Sequence, residues 1–143
     1  MENIRTELSL QLDEIRQALA SDFSAIARLD IRENRIRWEQ VSGNISDRLQ
    51  HMMKKPGSGI TGHVIRFGRP YILDANTPQL DQERQRYPIM LAEKLMCVMA
   101  IPISREERIA GVLILGHRQE RFYTNDDVRK AVESAKSIAS IVE

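Results

Sequence analysis

The stretch LMCVMAIPISREERIAGVLILGHR (95–118) decides how the rest of the chain is read. Its halves, LMCVMAIPIS (95–104) and RIAGVLILGHR (108–118), are the most apolar part of the sequence, and Arg105-Glu106-Glu107 between them is the polar interruption of a turn. Apolar runs of this length, bounded by charge, read as two adjacent buried strands forming a hairpin. Pro102 has no N–H and is expected where the ladder needs no donor. A sheet built around such strands requires helices to cover it.

Both ends of the chain supply them. Ile4, Leu8, Leu12, Ile15 and Leu19 recur at spacings of three and four, which predicts an amphipathic helix over 3–20 whose narrow seam needs a partner. Thr124-Asn125-Asp126-Asp127 starts a last helix with a capping residue and acids in its first turn. Val128, Ala131, Val132, Ala135, Ile138, Ala139 and Val142 form its apolar face. The two terminal helices are expected to pack side by side and to offer a homodimer face.

Between these ends, FSAIARLDI (23–31) and RIRWEQVSG (35–43) read as a second hairpin, with Asn34 in a left-handed turn conformation and Ile36, Trp38 and Gln40 on one face. A weakly helical segment is expected around 46–53. Then comes PGSGITGHVIRFGRP (56–70), with Gly57, Gly59 and Gly62 ahead of and within a helix over 60–67 that Gly68 closes. PYILDA (70–75) fits a short strand, and 76–86 a polar loop or broken helix. Tyr87-Pro88-Ile89-Met90 reads as another helix start; Pro88 has no N–H, so Ile89 and Met90 are expected to supply free donors. This element order is that of a single α+β domain, 1–143, with an antiparallel sheet flanked by helices.

Composition narrows the chemistry. The 143 residues carry 21 basic and 20 acidic groups, a net charge of +1. No global field draws the chain to nucleic acid or an acidic membrane, so an anion must be caught locally. The lone cysteine, Cys97, excludes a disulfide framework or a multi-cysteine metal site within one chain, and its apolar strand makes it a small hydrophobe. His51, His63 and His117 are too scattered for a metal centre. The N-terminus lacks the pattern of a signal peptide and no apolar run approaches ~18 residues, so a cytoplasmic location is expected. No nucleophile–base pair or paired carboxylates stand out, which argues against an enzyme.

The Gly-rich loop has two readings: a tight turn into a helix, or a helix start whose unpaired N–H groups hold an anion. Trp38 is a core aromatic or a pocket wall, and Tyr87 a packing residue or another wall. Lys54-Lys55 and Arg84-Gln85-Arg86 are solvated surface or draw an anion inward.

Taken together, GSGITGHVIRFGRPYIL and the strand pair LMCVMAIPI and RIAGVLILG resemble a GAF domain across nearly the whole chain, with Cys97 where that pattern has Ser. The resemblance implies a central antiparallel sheet of about five or six strands, terminal helices on one side and short pocket helices on the other. Trp38, the loop at 57–62 and YPIMLAEKL (87–95) are placed as in the stand-alone GAF nitrate receptors that report to a bacterial sensor histidine kinase. That likeness implies nitrate, or a similar small anion, held by the N–H groups of Ile60, Thr61 and Ile89 with Trp38, Tyr87 and Pro88 around it, and no cofactor. Thr61 departs from the small apolar residue expected there. The methionine sulfoxide reductases of this family use several cysteines, and the bilin and cyclic-nucleotide patterns are not visible. The alternative reading is a GAF interaction or dimerisation module with no ligand or a different small ligand.

Overall fold

The computed structural model describes residues 2–45, 53–54 and 59–142. Most of the weakly helical segment expected around 46–53 lies outside the described residues, as does Gly57 of the Gly-rich loop. The elements are α1 (Glu2–Ala18), β1 (Phe23–Asp30), β2 (Arg35–Ser42), β3 (Met53–Lys54), α2 (Gly59–Phe67), β4 (Tyr71–Leu73), α3 (Leu80–Gln85), α4 (Pro88–Ala92), β5 (Cys97–Arg105), β6 (Arg108–His117) and α5 (Asn125–Ile141). The strands form one sheet in the order β3-β2-β1-β6-β5-β4, antiparallel at each pairing.

The apolar hairpin sits inside that sheet. Arg105 pairs with Arg108, so the turn contracts to Glu106 and Glu107, whose φ values of 53° and 65° are both left-handed. Two positive-φ residues give the twist that antiparallel strands need, which is why so short a turn closes here without glycine. β4 ends at Tyr71, opposite Ala100, so it does not extend alongside Pro102.

In the first hairpin Asn34 adopts φ 54°, as expected of its type. The alternation along β2 departs from expectation. Ala27 pairs with Trp38 but Ile26 pairs with Gln40, which leaves Glu39 as an extra residue. This bulge flips the side chains beyond it. Ile36 and Trp38 share their face with Val41, whereas Gln40 lies opposite Ile26 on the other face.

Each face of the sheet has its own core. Leu8, Leu12, Ile15 and Leu19 of α1 and Ala131, Ala135 and Ile138 of α5 pack on Ile26, Met99, Ile101, Leu113 and Leu115. The seam of α1 therefore finds its partner in its own sheet and in α5. On the opposite face, α2, α3 and α4 contribute Ile60, Val64, Leu80, Ile89 and Met90, packed on Ala25, Ile36, Trp38, Val98, Val112 and Ile114. The expected loop at 76–86 is partly helical: α3 is pinned by buried Leu80 after a left-handed Gln79 at φ 55°. Among the described residues no helix is long and apolar enough to cross a membrane.

Candidate functional site

Two helix starts face the second core. Gly59 opens α2 at φ 69°, a conformation that suits glycine, and puts Ile60 and Thr61 in the first turn, at 2% and 3% exposure. The helix closes as expected, with the Gly68 N–H donating to the Val64 carbonyl at 2.7 Å. Pro88 takes the first position of α4, after Tyr87 in extended conformation with no side-chain cap. The expectation for Met90 is corrected: its N–H donates to the Tyr87 carbonyl at 3.0 Å, because a helix this short tightens its first turn into an i→i−3 bond. Among the described residues the Ile89 N–H meets no acceptor.

Trp38 projects from β2 into the same core and is 4% exposed. Its indole Nε1–H is buried and has no hydrogen-bond partner among the described residues. Tyr87 packs against this cluster. Trp38, Ile60 and Ile89 thus belong to one core, with Tyr87 packed against it; Thr61 is buried beside Ile60 on α2, and Pro88 is solvent-exposed at the start of α4.

Reading the sequence misses an aromatic chain that ties the two helix starts together. The Tyr71 and Tyr87 hydroxyls are 3.0 Å apart with their rings edge to face, and the His63 ring of α2 lies 4.1 Å from that of Tyr71. The sequence signals no more of it than that Tyr71 belongs to a short strand following α2. Burial, with help from the Arg66 and Arg69 charges, lowers the pKa of His63, so its ring is neutral at pH 7. Burial and the hydrogen bond to Tyr87 push the Tyr71 phenol up.

The far end of α4 is fixed by charge. Glu93 is fully buried; its carboxylate accepts from the Ile45 N–H at 2.7 Å and from Arg118 at 3.1 Å. Arg118 also donates to the Glu93 and Gly43 carbonyls, so α4 is clamped to the chain leaving β2. Of the basic cluster at 84–86, Arg84 is drawn inward onto the Leu95 carbonyl at 2.7 Å, while Arg86 remains at the surface beside Glu83.

Cys97 and His117 are structural. Cys97 is fully buried; its Sγ accepts from the Arg121 N–H, and burial raises the thiol pKa. His117 is held by the Tyr123 hydroxyl at 2.8 Å and the Leu19 carbonyl at 3.1 Å. His51 lies outside the described residues. An open groove of about 850 Å³ lies elsewhere, between the two hairpin turns, and none of the six expected site residues lines it.

Comparison with known proteins bears on the family and the fold. No protein with a curated description matches the chain. A Staphylococcus aureus NreA protein mutated in its nitrate-binding site is 30% identical, with a TM-score of 0.70, over 87% of this chain and 95% of that one. The GAF domain of an Acinetobacter phosphoenolpyruvate-protein phosphotransferase superposes with a TM-score of 0.81 at 15% identity, over 96% of this chain and 81% of that one. A free methionine-R-sulfoxide reductase of Thermoplasma acidophilum gives a TM-score of 0.77 at 12% identity, over 98% and 92%. The last two likenesses bear on the fold alone. A family model for the GAF domain matches residues 2–143, and the chain belongs to that family.

Proposed function

We propose that this chain is a cytoplasmic, non-enzymatic sensor that binds nitrate, or a similar small anion, and modulates a partner sensor histidine kinase. Nitrate is planar, singly charged and weakly hydrated, so neutral N–H dipoles beside an aromatic wall can replace its hydration shell. The donors are the backbone N–H groups of Ile60, Thr61 and Ile89, with Trp38, Tyr87 and Pro88 around them.

The observation that carries this reading is the buried Trp38 N–H, which has no acceptor among the described residues, in the core that both helix starts help to form. Leaving such a donor unpaired costs about 1–3 kcal/mol, and an anion between the helices would remove that penalty. The S. aureus NreA likeness supports the same choice of ligand. A buried Cys97 thiol with a raised pKa is a poor nucleophile, which supports a binding role over catalysis.

In this mechanism the anion stabilises one arrangement of α2 and α4, the Glu93–Arg118 clamp carries the shift to residues 43–45, and the kinase prefers one state. The test is calorimetric titration with nitrate, nitrite, chloride and sulfate after dialysis into a buffer lacking all four. Saturable binding that favours nitrate is expected, with loss of affinity in Ile60→Pro and Ile89→Pro, each of which deletes one backbone donor. No heat with any anion, or full binding by both variants, overturns the proposal.

A further inference from the structure

The sheet splits at one end. The β1–β6 ladder stops at the pair Arg28 and Gly111. β1 stays paired to β2 as far as Asp30, and β6 to β5 as far as Arg108. The rung is tight where the split begins: a Cβ on Gly111 would lie 2.3 Å from the Ala27 carbonyl oxygen. Just beyond, Ile103 pairs with Gly111 but Ser104 with Ile109, so Ala110 is an unpaired bulge that turns the start of β6 away from β1. Residues 29–31 and 108–110 consequently face each other as two strand edges without a shared ladder, and they line the groove of about 850 Å³.

The lining of this groove specifies its occupant. Five arginines stand against three carboxylates. Arg28 is 3.7 Å from Glu39, and Arg105 donates to the Val142 carbonyl, but the side chains of Arg32 and Arg108 have no ion pair or hydrogen bond among the described residues. Ile31, at 73% exposure, and Ile109 add apolar surface. Carboxylates and exposed isoleucine suit a peptide better than a phosphate backbone, and an unpaired strand edge is where an extended peptide gains main-chain hydrogen bonds.

We propose that this split is a docking site for an extended acidic segment of a partner protein. Its main chain runs along the free edge at 108–110, its carboxylates meet Arg32 and Arg108, and an apolar side chain rests on Ile31 and Ile109. The site does not depend on which ligand occupies the helix starts.

The test uses the full chain and a short fluorescein-labelled peptide alternating Glu with Val, read by fluorescence polarisation. Saturable, salt-sensitive binding is expected, weakened about tenfold or more by the double change Arg32→Glu and Arg108→Glu and unaffected by Lys136→Glu on α5. Amide shifts on titration should centre on 29–31 and 108–110. Absence of saturable binding overturns the proposal. So do equal affinity for the Lys–Val twin, preference for a single-stranded DNA oligomer, and shifts centred elsewhere.

Discussion

At Trp38, Phe keeps an aromatic plane but deletes the indole N–H together with part of the fused ring. Trp38→Phe is expected to weaken nitrate binding by about tenfold, the worth of one hydrogen bond to a charged acceptor. The smaller ring leaves a gap at a site only 4% exposed, so the melting temperature should fall modestly, while the lost donor, which has no partner among the described residues, adds little to that fall; calorimetry and a melting curve read the two effects separately. The helix starts at Gly59 and Pro88 were legible in the sequence because a glycine or proline there is a local signal. The fate of the Met90 N–H was not, because it depends on how tightly a five-residue helix winds. Gln40 escaped for a related reason: strict alternation assumes a regular ladder, and the extra residue at Glu39 is visible only once β1 is laid against β2.

At the level of elements, both hairpins were readable because each carries its own turn. The β5–β6 turn places two glutamates at positive φ, where a side chain costs about 1–2 kcal/mol per residue. Replacing Glu106-Glu107 by Asn-Gly is expected to raise stability by about 1 kcal/mol, seen as a higher denaturant midpoint with an unchanged slope. α5 makes the opposite case. The Thr124 hydroxyl accepts from the Asp127 N–H at 3.0 Å while the Asp127 carboxylate accepts from the Thr124 N–H, so Thr124→Ala should cost about 1 kcal/mol in the same assay. α2 and α4 are joined through β4 by contacts between residues distant in sequence, and no local pattern announces them. Tyr71→Phe removes the hydroxyl that meets Tyr87, and a several-fold loss of nitrate affinity with little change in melting temperature is the expected result.

Across the whole molecule, the apolar stripes of the terminal helices are plain in the sequence, but what they cover is not. They cover the sheet, and three remote segments meet nearby at His117: the end of α1, the end of β6 and the residues that lead into α5. Burial lowers the His117 pKa below 6.5, and the adjacent Arg121 charge adds to this against the Leu19 hydrogen bond and the Asp22 and Asp127 charges. A group with a depressed cationic pKa binds protons more readily in the unfolded chain, so its contribution to stability is full above 6.5 and lost as pH falls below it. His63, also lowered, acts in the same direction. The denaturant midpoint should therefore drop between pH 7 and pH 5, and the double change His63→Gln and His117→Gln should flatten that dependence.

Trp38 is also the chain's one tryptophan. Its emission comes entirely from a chromophore shielded from water and without a hydrogen-bond acceptor among the described residues, so the spectrum of the protein alone should lie toward the blue. Whatever approaches that N–H alters the light from the protein directly, and occupancy of the proposed anion site becomes an optical signal that needs no dye and no second label.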